Sequence, residues 1–346
     1  MTEHRPAETT VLVTGASGFI GLHCVRELLQ NGYRVRGTVR SFAREPKLRA
    51  ALAKHVDTSK FELVTADLMS DDGWVEAMRG CRYVWHVASP VPNAPPKHED
   101  DLIIPARDGT LRVLRAASEA GVERVEQTSS IAAVAEGYPR DPSRVFNEDD
   151  WSNLDGEVSA YDKSKTLAER AAWDFVGGLT GDKPLELVTI NPGLVLGPVL
   201  ETDYGVSAQA ILKLMRREYP GCPRLGWPTV DVRDVASAHL AAMITPEANG
   251  QRFCCCVDFV WMKEMAAILN EHFGDRGYKV PTRTLPDFVV RIAGLFDKIT
   301  RVVTPRLGLE LHVSNDLIKR VLGWQPRSTE EMVVATGESL IEQGLV

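Results

Sequence analysis

A glycine-rich turn joins the first apolar run of the chain to its first amphipathic segment. Residues 11–14 form a short β-branched run typical of a strand, and residues 19–30 have the apolar periodicity of a helix. Between them, Gly15, Gly18 and Gly21 are spaced G-x-x-G-x-x-G. Glycines here let the backbone turn tightly and let a pyrophosphate approach the N–H groups that open the helix. The turn predicts a dinucleotide-binding unit, with a purely structural turn as the alternative.

Strand-like and helix-like segments alternate through the first half of the chain. The predicted strands are 34–39, 61–65, 83–88, 122–128 and 185–190, and the predicted helices are 43–54, 71–78, 102–120 and 158–176. This alternation indicates a parallel sheet with right-handed crossovers, covered by helices on both faces. We expect a Rossmann-type, doubly wound α/β domain. Glu126 is unexpected inside a buried parallel strand and should cost stability unless it is paired or neutral.

The chain beyond residue 192 contains many prolines and shorter elements. We interpret 1–10 as a disordered tail, 11–192 as the cofactor-binding domain and 193–346 mainly as a substrate-binding lobe, with later residues free to add strands to the sheet. The apolar stretch 285–303 carries four ionisable side chains. It is therefore predicted to be a buried or interface helix and not a membrane span.

Composition argues against several kinds of partner. The 346 residues carry a net charge of −7 without a block of like charge, which argues against nucleic acid. Residues 1–10 lack the pattern of a secretory signal. The six cysteines show no zinc-type spacing, and those at 254–256 suit a buried strand, so no metal site is expected. We expect reduced, structural thiols in a cytoplasmic protein, with a reactive thiol as the alternative.

The end of the second predicted strand indicates which dinucleotide binds. An acidic residue at this place binds the ribose 2′-hydroxyl of NAD, whereas an arginine accommodates the 2′-phosphate of NADP. The segment 35–41 contains no carboxylate and places Arg40 at this point, with Arg44 and Lys47 nearby. Because arginine suits bidentate phosphate recognition, we predict NADP(H) as the cofactor. A solvated surface charge is the alternative reading of Arg40.

Tyr161 and Lys165 are four residues apart in a predicted helix and therefore share one face. A phenol has a pKa of about 10, and a neighbouring ammonium is predicted to lower that pKa by favouring phenolate. Such a tyrosine exchanges a proton with a substrate oxygen. Ser129 and Ser130 follow Thr128 at the end of a predicted central strand, where a hydroxyl is placed to hold a carbonyl oxygen. A helix cap is the alternative role for these serines.

These motifs together resemble the extended short-chain dehydrogenase/reductase family. The motifs are TGASGFIG at 14–21, the serine after the fifth strand and YDKSK at 161–165. The stretches HVASP, NEDDWSNL, NPGLVLGP, VDVRDVASAH and LGWQPRS are similar to its dihydroflavonol-reductase and aldehyde/ketone-reductase branch, and the likeness spans the chain after residue 10. The resemblance implies an NADPH-dependent carbonyl reductase that acts on a small molecule, as a monomer or homodimer.

The resemblance also implies roles for individual residues. Tyr161 is implied as the proton donor, Lys165 as its partner that also holds the nicotinamide ribose, and Ser130 as the carbonyl-orienting serine, with Ser129 as the fallback. With the glycine turn and Arg40, the predicted cofactor site comprises Gly15, Ser17, Gly18, Phe19, Ile20, Arg40, Lys47, Asp67, Leu68, Val87, Ala88, Ser89, Thr128, Tyr161, Lys165, Pro192, Gly193 and Val195.

Two departures from the family's patterns concern the substrate. Flavonoid-reducing members carry an asparagine five residues after the catalytic serine, where this chain has Ala135, and the NWYCYAK-like segment of the CoA-ester branch is missing. Ser89, Ala135, Tyr204 and Trp227 are predicted to line an apolar pocket for hydrophobic or aryl aldehydes and ketones. Packing in the core is the alternative for Tyr204 and Trp227. A nucleotide-sugar epimerase or dehydratase of the same family, and a non-catalytic NADP-sensing protein, are the alternatives.

Overall fold

A computed structural model describes residues 5–90, 96–139, 141–181, 184–202 and 205–346. The strands are β1 (Thr10–Val13), β2 (Arg34–Val39), β3 (Phe61–Thr65), β4 (Tyr83–His86), β5 (Arg124–Thr128), β6 (Val145–Phe146), β7 (Glu186–Pro192), β8 (Leu194–Leu196), β9 (Gly226–Asp231), β10 (Arg252–Cys255), β11 (Phe259–Trp261) and β12 (His312–Val313). The helices are α1 (Phe19–Gln30), α2 (Glu45–Ala53), α3 (Trp74–Met78), α4 (Asp100–Glu119), α5 (Ala160–Gly177), α6 (Gly205–Met215), α7 (Val232–Ile244), α8 (Met262–Phe273), α9 (Asp287–Phe296), α10 (Lys298–Val303), α11 (Asp316–Leu322) and α12 (Thr329–Glu342).

Among the described residues, seven parallel strands form one sheet in the order β10-β7-β5-β4-β1-β2-β3. Side chains alternate across it: Val11 and Val13 pack in one core with α1 and α7, whereas Leu12 packs in another with α4 and α5. The strand order reverses between β1 and β4, which is the switch point where such sheets bind ligands at their carboxyl ends. The predicted doubly wound α/β fold is confirmed.

Several predicted elements are shorter in the structure, and hydrogen bonds to side chains account for two of them. The helix predicted at 71–78 begins only at Trp74, because Ser70 accepts a hydrogen bond from the amide of Asp72 and Gly73 has a φ of 80°. The strand predicted at 83–88 ends at His86, because the amide of Ala88 donates to the Thr14 hydroxyl at 2.9 Å instead of continuing a ladder. Local side-chain hydrogen bonds thus shape the loops at the edge of the sheet.

The first described residues of the chain and the late strand β10 both belong to the main architecture. Pro6–Glu8 form a short 3-10 helix and β1 begins at Thr10, so the part of the predicted tail that is described is ordered. β10 returns to the main sheet beside β7, while β8, β9 and β11 form a second sheet. The domain boundary at 192/193 stays a prediction.

All six cysteines are free and buried, and burial raises the pKa of the thiols, which makes them weak nucleophiles.

The apolar stretch 285–303 forms α9 and α10. In α9, Phe288 and Phe296 are 64% and 86% exposed, and Ile292 and Leu295 are also exposed. The prediction that this stretch is buried is therefore wrong for α9. The alternative of an interface helix stays a prediction. Among the described helices, none has the length and apolar character needed to cross a membrane.

Glu126 lies at the centre of β5, between Trp85 on β4 and Val188 on β7. Its side chain is 0% exposed, and neither carboxyl oxygen has a hydrogen-bond partner among the described residues. Burial raises the pKa of this carboxyl well above its ordinary value, which favours its neutral form. Of the two ways in which a buried Glu126 can avoid a large cost in stability, pairing or neutrality, its surroundings favour neutrality.

Replacing Glu126 with methionine should increase the free energy of unfolding by about 1–3 kcal/mol at pH 8, because an unsatisfied buried polar group is removed. Since the unfolded chain releases this proton above the ordinary pKa of 4.5, the wild-type stability from this group is complete below that pH and falls as pH rises. Urea unfolding at pH 5 and pH 8 measures the gap between variant and wild type, which should widen with pH. Glu119→Met, at an exposed residue, is the matched control. If the difference in free energy of unfolding from wild type changed with pH equally in both variants, the prediction would be contradicted.

Candidate active site

The glycine turn between β1 and α1 has the backbone that an anion site needs. Gly15 has a φ of 66°, and a Cβ added there would lie 3.1 Å from the Cα of Ala88. A Cβ on Gly21 would lie 2.2 Å from the carbonyl oxygen of Gly15. Gly18 is the exposed N-cap, and no described side chain caps α1, which leaves the N–H groups of its first turn available. This arrangement fits a dinucleotide pyrophosphate.

Basic residues near the end of β2 differ in their partners. Arg40 directly follows β2 and is exposed. Arg44 is hydrogen-bonded to Glu201, and the ammonium of Lys47 lies 3.7 Å from the same carboxylate and donates to Thr202. The role of Lys47 in cofactor binding stays a prediction, and its charge is already matched by a protein carboxylate. Arg40 is therefore the better candidate for a 2′-phosphate.

Most of the other predicted cofactor residues lie at the carboxyl edge of the sheet. Ser17 belongs to the turn itself, and Phe19 and Ile20 begin α1. Asp67 and Leu68 follow β3, Val87, Ala88 and Ser89 follow β4, Thr128 ends β5, Pro192 ends β7, and Gly193 comes next. Gly193 is required by packing, since a Cβ there would lie 2.3 Å from the carbonyl oxygen of Pro228. Val195 lies in β8, and its side chain is buried. The sheet order brings these strand ends side by side.

Two buried histidines support hydroxyl groups at this edge. His86 Nδ1 lies 3.0 Å from the Thr14 hydroxyl, and His239 Nε2 lies 2.8 Å from the Thr128 hydroxyl. Burial lowers the pKa of both imidazoles to about 3, so they are uncharged at neutral pH. Their role is to position the ends of β1 and β5.

The predicted catalytic residues come together at the start of α5. A reciprocal capping box of Ser159 and Asp162 fixes this helix end, with the Asp162 amide 3.2 Å from the Ser159 hydroxyl. Tyr161, in the first turn, hydrogen-bonds the side chain of Ser130. The ammonium of Lys165 lies 5.9 Å from the centre of the Tyr161 ring. A hydroxyl, a phenol and an ammonium therefore meet beside the carboxyl end of β5.

The pKa of Tyr161 differs from the prediction. Burial raises it to about 12, and the hydrogen bond from Ser130 offsets only part of that rise, so the predicted lowering is wrong for the protein alone. A phenol with this pKa is protonated at neutral pH, as a proton donor must be. Burial also lowers the pKa of Lys165 to about 8, while the charge of Glu169 acts in the opposite direction.

Ser129 and Ser130 have different partners although they are adjacent. The Ser129 hydroxyl donates to the Glu169 carboxylate, and its amide donates to the Ile190 carbonyl at 2.7 Å. Ser130 instead contacts Tyr161 and accepts a hydrogen bond from the Ala132 amide at 3.1 Å. The geometry favours Ser130 over the fallback Ser129 as the hydroxyl that faces a substrate.

Sequence reasoning missed Glu169, which is 0% exposed. Its carboxylate accepts hydrogen bonds from the side chains of Ser129, Trp173, Thr189, Asn191 and Arg252. The spacing held the signal, because Tyr161, Lys165 and Glu169 follow one another at intervals of four on one helix face.

The predicted substrate-lining residues differ in what they present. Ser89 and Trp227 are partly exposed. Ala135 is only 3% exposed and packs in a cluster with Ile131 and Cys256, so it offers little surface to a substrate. Tyr204 lies outside the described residues.

Fold and site together define a Rossmann-type, dinucleotide-binding protein with a Ser–Tyr–Lys group. Residues 11–256 match the model of the NAD dependent epimerase/dehydratase family, and the chain belongs to that family. This match confirms the predicted membership of the extended short-chain dehydrogenase/reductase family.

Several proteins similar to this chain are named reductases. The chain is 38% identical to cinnamoyl-CoA reductase 1 of Petunia hybrida over 276 residues, 79% of each chain. It is 32% identical to tetraketide alpha-pyrone reductase 1 of Arabidopsis thaliana, covering 98% of this chain and 97% of that protein. Among solved structures, the yeast methylglyoxal/isovaleraldehyde reductase Gre2 complexed with NADPH matches with a TM-score of 0.80 and 28% identity, covering 98% of this chain and 100% of that one.

Proposed function

We propose that this protein is an NADPH-dependent carbonyl reductase that converts aldehydes or ketones to alcohols. The observation that carries the proposal is the contact of Tyr161 with Ser130, beside Lys165 and at the same sheet edge as the glycine turn. Similarity to reductases, one of them solved with NADPH, supports it.

Each residue of this group has a chemical task. A nicotinamide bound at the sheet edge supplies the hydride for the carbonyl carbon. Tyr161 donates its phenolic proton to the carbonyl oxygen, and the Ser130 hydroxyl holds that oxygen by a hydrogen bond. Lys165 stabilises the negative charge left on Tyr161 until a proton from solvent restores the phenol. The balanced reaction consumes one carbonyl compound, one NADPH and one proton, and yields an alcohol and NADP⁺.

The proposal is tested by following NADPH oxidation with a panel of carbonyl compounds. The panel contains benzaldehyde-type aldehydes, ketoesters, dihydroquercetin and cinnamoyl-CoA. We expect the highest kcat/KM for hydrophobic or aryl aldehydes and ketones, because Ala135 stands where the family resemblance implies an asparagine in flavonoid-reducing members. A markedly higher kcat/KM for dihydroquercetin or cinnamoyl-CoA would replace the proposed substrate class. No turnover with any member would contradict the reductase function.

Arg40→Asp should reverse the cofactor preference. The substitution removes a bidentate contact with the 2′-phosphate and places a carboxylate where NAD sites carry one. We expect KM for NADPH to rise about 10- to 100-fold, as a charged hydrogen bond is worth about 1.5–3 kcal/mol, with a much smaller change for NADH.

Arg34→Asp is the matched control, because Arg34 is exposed at the opposite end of the same strand. It makes the same change in net charge away from the sheet's carboxyl edge. Equal KM changes in the two variants, or a wild type that uses NADH and NADPH equally well, would show that Arg40 does not select the cofactor.

A further inference from the structure

We propose that Glu169 is a positioning residue for the reaction: its carboxylate fixes the strand ends that carry Ser130 and supplies the negative charge that balances the ammonium of Lys165. The inference rests on the proposed function of Tyr161, Ser130 and Lys165, and it assigns a role to a side chain that touches none of the reacting atoms.

Hydrogen bonds to Glu169 join three strands to α5. Its Oε2 accepts from the hydroxyl of Ser129 on the β5 side and from Asn191 Nδ2 on β7 at 2.7 Å. The same amide of Asn191 donates to the carbonyl oxygen of Ser130 at 3.2 Å. The other carboxylate oxygen of Glu169, Oε1, accepts from the hydroxyl of Thr189 on β7 at 3.2 Å. The backbone on both sides of the Ser130 side chain is therefore tied, directly or through one amide, to this carboxylate.

Arg252 completes the network from β10. Its Nε lies 2.6 Å from Glu169 Oε1, and its Nη1 donates to the carbonyl oxygens of Glu148 and Asp150, each at 2.7 Å. The guanidinium lies 3.7 Å from the ring centre of Trp151. A buried carboxylate is stable only when it is paired and hydrogen-bonded, and the network meets both conditions. It also anchors the loop that leads into α5.

Glu169 is the carboxylate that acts on the charge of Lys165. Burial disfavours the ammonium, and the charge of Glu169, one helical turn away, offsets part of that cost. His86, facing Lys165 from β4, is held neutral by burial. Glu99, the residue before α4, pairs with Lys163 at 2.6 Å, and Arg252 pairs with Glu169 itself.

The test compares pH profiles of kcat for the wild type, Glu169→Gln and Thr189→Val. Since burial lowers the pKa of Lys165 to about 8, wild-type kcat should fall as pH rises past this value. Loss of the Glu169 charge favours neutral lysine, so the alkaline limb of Glu169→Gln should move to lower pH by about 1 unit, with kcat reduced. Thr189→Val removes one donor to Glu169 but keeps the charge, and its limb should stay at the wild-type pH.

Arg252→Gln keeps the test informative if Glu169→Gln does not fold. It removes the guanidinium partner that keeps the buried Glu169 charged, so the limb should move in the same direction as in Glu169→Gln. Unmoved limbs in folded Glu169→Gln and Arg252→Gln would overturn the proposal and leave Glu169 a purely structural residue. Failure of the proposed function is a separate outcome, seen as an inactive wild type or an active Tyr161→Phe.

Discussion

Tyr161→Phe should lower kcat by about 100- to 10,000-fold, the range that a positioned proton donor contributes. The aromatic ring and its packing remain, and only the hydroxyl that contacts Ser130 is lost. The dissociation constant for NADPH should therefore stay close to that of the wild type. Steady-state assays with an aryl aldehyde measure kcat, and fluorescence titration with NADPH measures binding.

Tyr278→Phe is the control for this change, because Tyr278 packs against the C-terminal cluster around Leu269 and Phe273. It should keep wild-type kcat. A Tyr161→Phe variant that retained most of its activity would show that another group protonates the substrate.

Lys165→Met should damage both chemistry and cofactor binding. The substitution keeps an unbranched side chain but removes the ammonium, which lies 5.9 Å from the centre of the Tyr161 ring. We expect kcat to fall by about 100-fold or more through loss of the charge that stabilises the phenolate. We expect the dissociation constant for NADPH to rise about 10-fold through loss of a charged hydrogen bond to the ribose.

Lys163→Met supplies the comparison on the same helix. Lys163 pairs with Glu99 at 2.6 Å, so this variant should keep near wild-type kcat and NADPH affinity. If Lys165→Met bound NADPH as tightly as Lys163→Met, Lys165 would have no part in holding the cofactor.

The strands, helices and main site of the N-terminal half were predictable because local patterns encode them. The glycine spacing, the Tyr161–Lys165 interval and the alternation of strand and helix depend on near neighbours in the sequence. The bounds of α1, β2 and β3 agree with the prediction, since the turn residues that flank them are strong signals.

What sequence reasoning missed depends on contacts between distant segments. The partner of Lys47 is Glu201, more than 150 residues away. Four of the five donors to Glu169 come from Ser129 just after β5, from β7 and from β10. The pKa of Tyr161 was predicted in the wrong direction because burial, which a sequence does not display, raises it and outweighs the hydrogen bond from Ser130. The exposure of Phe296 likewise follows from the tertiary position of α9 and not from its composition.

Hydride transfer to a carbonyl carbon is the central claim, and isotope transfer tests it most directly. The protein is incubated with benzaldehyde and NADPH carrying deuterium at nicotinamide C4, prepared separately with each face labelled, and the alcohol is analysed by mass spectrometry. We expect benzyl alcohol with one deuterium on the carbinol carbon from one of the two labelled cofactors, and unlabelled alcohol from the other. Unlabelled alcohol from both, or no alcohol, would contradict it.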